Sequence, residues 1–497
     1  MKITPNLEKF KNLSNEFDLI AVRAELTADT ETPLSAYLKL SKKKPAFLFE
    51  SVVGGEQVSR FSFLGFSSSK QFSCNHDFTE IIEACGNKQK IPTPKDPLEL
   101  IENDIEGIKY FGIDGHRFSG GAVGFVGYEY ANRIEASIPV PDKNELRMPL
   151  LFFMVTELVV IFDHATQTIT ICVNTKPGDN PEISYQLAKE KIEDTIRILS
   201  TPVSLKPVSF DFESLQKLDL PEGNFTKTEF ENLVKKTKEY IRSGDIIQSV
   251  LSQRFTIPFE GQPINLYRAI RASNPSPYMF ILETNEFSIV GASPEVHVRL
   301  NDDEVLIRPI AGTRPRGSSP QEDRELEKEL LEDQKEKAEH LMLVDLARND
   351  IGRVCTNGSV NASEFMNIER YSHVMHIVSQ VVGKLAPDKN AFDLMRATFP
   401  AGTVSGAPKV RAMQIISEFE QNCRNAYAGA LGYFGFEGNH DSCIAIRTAI
   451  IQDKKINLQA GAGIVADSDP EMEFNETINK AKGMFYASQI AERLDQS

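Results

Sequence analysis

The stretch QKEKAEHLMLVDLARNDIGRV, residues 334–354, reads as a helix that carries two carboxylates on one face. Glu336 and Glu339 stand three residues apart, so they project from consecutive turns. A second stretch, DPEMEFNETINKAKG at 469–483, repeats that spacing with Glu473 and Glu476. Charged pairs on helices are usually solvated faces. Here Leu341, Met342, Leu343, Val344 and Leu346 follow directly, so the first helix is largely apolar around its acids. Two helices that each present two carboxylates suit Mg²⁺. That ion is hard, keeps several waters, and takes one or two protein carboxylates beside an anionic substrate.

Working outward, composition narrows the task. A net charge of −15 argues against nucleic acid or an anionic membrane as the main partner. An anionic substrate therefore needs a metal and a few local arginines or lysines. The six cysteines (Cys74, Cys85, Cys172, Cys355, Cys423, Cys443) are scattered with no C-x-x-C pair, which predicts a reduced, cytoplasmic chain without a zinc site. The opening MKITPNLEKFKNLSNEF has neither the basic start nor the apolar run of a signal peptide. The most apolar stretch, Met148 to Phe162, is too short to span a bilayer and contains Glu157, so it reads as adjacent buried strands.

The 497 residues have room for two or three domains. Short strand patterns (FLFES at 47–51, LVVIFD at 158–163, TITICV at 168–173) and the helical EISYQLAKEKIEDTIRIL fill the first part. STPVSLKPVSFDFESLQKLDLPEGN, at 200–224, lacks periodicity and reads as a linker. The expected units are 1–210 and 222–497, intertwined in space. The second opens with the capping box Thr226–Glu229, a helix, and Gly244 as its stop. Near its end, SCIAIRTAIIQ, the turn DKK and INLQA read as antiparallel strands.

Three glycine-bearing loops are expected at the acidic helices. RPIAGTRPRG (308–317) reads as a turn among three arginines, with Gly312 and Thr313 open to a ligand. FPAGTVSGAPKVRAMQII (399–416) leads into a helix whose N-terminal N–H groups suit an anion, near Thr403, Ser405 and Lys409. LQAGAGIVADSDPE (458–471) connects a strand to the helix of Glu473 and Glu476. In SHVMHIVSQVVGKL, His373 and His376 fall in a strand pattern and point to opposite faces, which excludes joint metal ligation. His376 shares a mostly apolar face with Val374 and Val378, a sheltered place suited to acid–base work.

These motifs carry a family resemblance. AEHLMLVDLARND, PIAGT, HVMHIVS, FPAGTVSGAPK, CIAIRTA, QAGAGIV and the final E-x-x-E-T-x-N-K-A resemble the chorismate-utilising enzymes in order and spacing across roughly residues 225–490. LFES (48–51), RFSFLG (60–65) and SGGAVGFVGYEY (119–130) resemble the N-terminal region of anthranilate synthase large subunits. The resemblance implies an α/β fold of the α+β type, with two orthogonal antiparallel sheets forming a sandwich flanked by helices. Aminodeoxychorismate synthases carry a nucleophilic lysine where this chain has Ala311, and isochorismate-forming relatives a lysine base where it has Gln248. With neither lysine, external ammonia is the expected nucleophile, the anthranilate synthase pattern.

The resemblance further implies Mg²⁺ on Glu339 and Glu476, supported by Glu336 and Glu473. Tyr427, Arg447 and the backbone of Gly461, Ala462 and Gly463 would hold the enolpyruvyl carboxylate, with Gly312, Thr313, Thr403 and Lys480 close by. His376, or Glu336 as an acid, would assist loss of the C4 hydroxyl. None of the cysteines stands in a glycine-flanked nucleophile elbow, so a separate glutamine amidotransferase subunit is expected to supply ammonia, in a heterotetramer of two large and two small subunits. NPSPYMF (274–280) with LFES resembles a tryptophan feedback pocket of Glu50, Ser51, Pro277, Tyr278 and Met279. The chain itself contains no Trp, which suits an enzyme needed when that amino acid is scarce. An aminodeoxychorismate synthase and a non-catalytic regulatory homologue are the alternatives. Four mutually repelling carboxylates argue against the second.

Overall fold

Two long strands organise the molecule, a computed structural model in which residues 2–52, 60–203, 219–371 and 374–496 are described. Phe61–Cys74 and Leu151–Asp163, 14 and 13 residues long, pair with each other from end to end. Register shifts between Gly65 and Lys70 interrupt the pairing, as bulges that bend a strand do. Each end then joins different neighbours, so the two strands belong to both sheets. Leu151–Asp163 is buried almost throughout, which is why it reads as an unbroken apolar run. It is one strand, where adjacent strands were expected.

In one sheet the pair is flanked by Thr168–Thr175 and Leu19–Thr27 on one side. On the other side follow Ala46–Glu50, Tyr278–Glu283, Ser288–Ser293, Thr448–Gln452, Lys455–Ile464 and Gln248–Pro258. In the second sheet it is flanked by Phe78–Glu83 and by Gly121–Val126. Beyond Gly121–Val126 come Ala430–Gly435, His440–Ile444, Val296–Asn301, Glu304–Ile307 and Val374–Lys384. These pairings are antiparallel. The helices Lys227–Ser243, Gln334–Gly352 and Pro470–Gln496 pack around them, burying apolar faces against the sheets.

Each sheet thus contains strands from both halves of the chain: Ala46–Glu50 pairs with Tyr278–Glu283, and Gly121–Val126 with Ala430–Gly435. Most of the linker expected between 200 and 224 falls outside the described residues, as does His373. Thr226 and Glu229 form the expected capping box, and Gly244 ends that helix at φ +83°.

Three sequence expectations change. SCIAIRTAIIQ breaks at Arg447 (φ +49°), because the chain there leaves the second sheet at Ile444 and enters the first at Thr448. RPIAGTRPRG is mostly strand rather than turn: Ile310–Pro315 pairs with Val374–Lys384, with a bulge at Gly312. Gly461–Gly463 lie inside the strand Lys455–Ile464 instead of a loop, held by pairing with Gln248–Pro258.

Candidate active site

The site forms where the chain changes sheets. Glu295 occupies the crossing between Ser288–Ser293 and Val296–Asn301, and Arg447 the crossing between His440–Ile444 and Thr448–Gln452. Backbone bonds tie the crossings to their neighbours: Ile444 N–H donates to the Glu295 carbonyl (3.0 Å), and Ala292 N–H to that of Arg447 (3.2 Å).

On one side stand the acids. The helix Gln334–Gly352 starts at Asp333, whose side chain accepts the N–H groups of Lys335 and Glu336. Glu336 pairs with Arg314 at 3.4 Å. Glu339 accepts a bond from the Gln248 amide (3.1 Å). Burial pushes the Glu339 carboxyl above its ordinary range, and repulsion from Glu336 and Glu476 adds to this against the Gln248 bond and Lys335. Glu473 is raised likewise, by burial and then by Glu476, against Ser468, Lys480 and Lys335. Lys480 bonds Glu476 (2.6 Å) and the Gly461 carbonyl (3.0 Å). Acids from two helices, opposed locally by Lys335 and Lys480, have the donor chemistry of a hard divalent cation. They do not close into a cage: among the described residues no three histidine, cysteine or acidic side chains gather tightly enough to hold a metal. Mg²⁺, which leaves positions to water and substrate oxygens, fits such an open set.

Glycines let the other walls approach. A Cβ on Gly463 would come within 2.8 Å of the Gln248 amide, and one on Gly461 within 2.8 Å of the Tyr427 hydroxyl. Ala462 between them is fully buried. Gly312, at φ +71°, lies so near Glu336 that a Cβ would stand 3.3 Å from its carboxylate. The Gly312 carbonyl accepts from His376 Nδ1 (3.1 Å), and the Thr313 hydroxyl lies 3.1 Å from the same nitrogen. That bond puts the His376 proton on Nδ1 and leaves Nε2 bare. Burial, with the Arg447 charge, lowers the His376 pKa against the opposing Gly312 bond, so the ring is neutral.

Glu295 was not foreseen. Burial raises its carboxyl to about 7, against contacts with Thr403, Arg447 and Lys480 that favour ionisation. The Thr403 hydroxyl is buried beside it with no partner at hydrogen-bonding geometry among the described residues. Burial lowers Arg447, with Glu295 and Tyr371 opposing. The available signal was an acid between the strand patterns FSIVGAS and VHVRL. Glu336, Gly312, His376, Arg447, Glu295, Lys480, Glu476 and Glu339 thereby follow one another around the site, and Gln248, Gly463, Gly461 and Tyr427 adjoin them.

Other candidates are spent elsewhere. Lys409 is paired with Asp350 (2.6 Å) and bonded to the Thr398 carbonyl (3.1 Å), and Ser405 donates to the Ala401 carbonyl, so neither is left for an anion. Arg308, Arg314 and Arg316 pair with Glu369, with Glu329 and Asp333, and with Asp323.

A separate cavity of about 500 Å³ is lined by Glu50, Ser51, Pro277, Tyr278 and Met279, together with Arg299 and Asp441. Its walls come from both halves of the chain. Glu50 bonds Tyr267 and pairs with Arg271 at 3.3 Å, while the Ser51 hydroxyl has no partner among the described residues. Asp441 accepts from Tyr278 and Arg299, each at 2.8 Å.

The chain belongs to the chorismate-binding enzymes: the family described as "chorismate binding enzyme" matches residues 44–486. It is 48% identical over 501 residues to anthranilate synthase component 1 of Aquifex aeolicus, covering 99% of each chain. The Pseudomonas putida protein of the same name is 44% identical over 493 residues, 98% of this chain and 99% of that one. The crystal structure of anthranilate synthase component I from Streptococcus pneumoniae TIGR4 superposes with a TM-score of 0.74 at 35% identity, covering 92% of this chain and 98% of that one. Within its family, the chain is an enzyme of the anthranilate synthase component I group. Among the described residues no helix is long and apolar enough to cross a membrane.

Proposed function

We propose that this chain converts chorismate and ammonia to anthranilate, pyruvate and water, the committed step toward L-tryptophan. The observation that carries the reading is the absence of an amine at two positions beside the acidic ring, 248 and 311. Gln248, an amide, bonds Glu339, and Ala311 has no functional group. The nucleophile therefore comes from outside the chain.

Glu339 and Glu476, with Glu336 and Glu473 in support, would hold Mg²⁺, and the ion would supply Lewis-acid polarisation of the ring carboxylate of chorismate. Arg447, Tyr427 and the 461–463 backbone bind the enolpyruvyl carboxylate, and Gly312 and Thr313 cover the other face. Ammonia adds at C2, and the C4 hydroxyl leaves as water with a proton from Glu295. A carboxyl near 7 keeps that proton at neutral pH better than an ordinary glutamate. His376, bare at Nε2, takes the C2 proton as pyruvate departs from C3 and the ring becomes aromatic.

Ammonia reaches the site from a partner amidotransferase in a two-plus-two assembly. Cys74, Cys172, Cys355, Cys423 and Cys443 are buried, and burial raises their thiols away from the thiolate a glutaminase needs. Tryptophan occupies the second cavity, where Ser51 and Glu50 meet its amino group and Tyr278 and Met279 border its indole. The test is anthranilate fluorescence with chorismate, Mg²⁺ and an ammonium salt. Activity is expected with ammonia and not with glutamine. Full activity in excess EDTA, or glutamine-dependent product from the purified chain alone, would overturn the reading.

A further inference from the structure

The motif SGGAVGFVGYEY takes no part in the chemistry above. Its strand Gly121–Val126 pairs with Ala430–Gly435 and runs into the helical turn Tyr128–Tyr130. This turn grips Arg424. The Glu129 carboxylate accepts the backbone N–H groups of Arg424 (2.6 Å) and Asn425 (3.0 Å), and Tyr128 N–H donates to the Asn425 carbonyl (2.8 Å).

The Arg424 side chain is 1% exposed and its guanidinium makes four hydrogen bonds. Nε and Nη2 bond the two oxygens of Glu420 (2.8 and 2.5 Å), Nη1 the Val404 carbonyl (2.8 Å), and Nη2 also the Val250 carbonyl (2.7 Å). Its plane lies over the rings of Tyr128 (4.5 Å) and Tyr427 (5.6 Å). Glu420 is fixed in turn by the N–H (2.7 Å) and hydroxyl (2.9 Å) of Ser252.

Three of these partners adjoin a group assigned to the substrate site. Val404 follows Thr403. Val250 pairs with Gly463 and lies two residues from Gln248. Tyr427 presses its hydroxyl against Gly461. A planar fork with five donors can join two separate backbone segments and a carboxylate while stacking on rings, whereas an ammonium offers one compact point.

We infer that Arg424, clamped by Glu129 and Tyr128, is a positioning residue. It sets Thr403, the 461–463 strand and Tyr427 relative to one another, and through it the N-terminal half sets chorismate affinity. The inference rests on the assignment of those three groups as chorismate contacts.

Ammonia-dependent steady-state kinetics on Tyr427→Phe, Arg424→Lys and Glu129→Gln separate the two. Tyr427→Phe should raise the chorismate KM, and an unchanged KM would defeat the site assignment and this inference with it. Arg424→Lys should raise that KM about tenfold with kcat little changed, since misplaced contacts lose binding shared by ground and transition states. Glu129→Gln keeps the size and one acceptor, and should raise KM about threefold with melting temperature and tryptophan affinity near wild type. If Arg424→Lys does not fold, Glu129→Gln alone decides. A chorismate KM within about twofold of wild type in the folded clamp variants, beside a Tyr427→Phe that does shift, would refute the positioning role and leave the site standing.

Discussion

Replacing Glu295 by Gln removes one proton and almost nothing else. The amide keeps the side chain's size and its place beside the Thr403 hydroxyl, but it cannot transfer a proton to a departing hydroxide. Removing a positioned acid costs about 10²–10⁴ in rate, so kcat with ammonia should fall by that much. The wild-type pH dependence follows from the carboxyl's elevation to about 7. About half the molecules carry the proton at pH 7 and about a tenth at pH 8. Assayed at constant free ammonia, kcat/KM should therefore fall tenfold per pH unit above about 7. Stability moves with the same proton. A carboxyl raised from 4.5 to about 7 favours the fold below pH 4.5, and that contribution is lost as pH rises through 7. The loss is at most about 3 kcal/mol at one pKa unit per 1.36 kcal/mol, less because Glu295 is only partly enclosed. Glu295→Gln should then melt no lower than wild type at pH 8 while being nearly inactive. A variant retaining a third of wild-type kcat, or a profile flat from pH 7 to 9, would refute the assignment.

Other outcomes follow from the same geometry. Glu339→Gln should raise the Mg²⁺ concentration for half-maximal activity about tenfold and weaken Mg²⁺ binding by calorimetry, with an unchanged circular dichroism spectrum. Undiminished metal affinity would remove Glu339 from the metal set. Ser51→Phe fills the second cavity and should relieve tryptophan inhibition while leaving uninhibited turnover intact. In the wild type, chorismate should weaken tryptophan binding by the factor with which tryptophan weakens chorismate binding, and equal tryptophan affinities with and without chorismate would show uncoupled sites. Acid should unfold the protein partly through the second sheet, where burial lowers His297 to about 3 and His440 to about 4 around the Ser442 hydroxyl. Both rings are neutral when folded, so stability is lost as pH drops below about 6.5 and through these values. His297→Gln should lower the acid midpoint by about half a pH unit, and an unmoved midpoint would discount the pair.

The acidic helices were legible because carboxylate spacing and surrounding apolar residues are local features. The same holds for the capping box at Thr226 and for the turn at Asp453 and Lys454, whose φ angles of +51° and +58° match a tight hairpin. The fold and most of the site came from ordered motifs of the family. What stayed hidden depends on pairing across the chain. Gly461–Gly463 reads as a loop because glycines disfavour strands, yet the partner strand and the close approach of Tyr427 and Gln248 override that preference. Lys409 reads as an anion ligand until Asp350, 59 residues away, is found to hold it. Glu295 was missed because its raised proton affinity comes from burial among residues distant in sequence, which no local window contains.

The strands that flank the shared pair, Gly121–Val126 and Ala46–Glu50, also set a timetable for synthesis. Gly121–Val126 has its outer partner in Ala430–Gly435, so its edge stays open until some three hundred further residues have been made. At 5–20 residues per second that wait is roughly 15–60 s. Ala46–Glu50 likewise waits for Tyr278–Glu283. During translation the first part of this protein is a set of open, apolar strand edges, exposed to pairing with other nascent chains. Its yield in a cell should depend more on chaperones that guard those edges than on the stability of the finished enzyme.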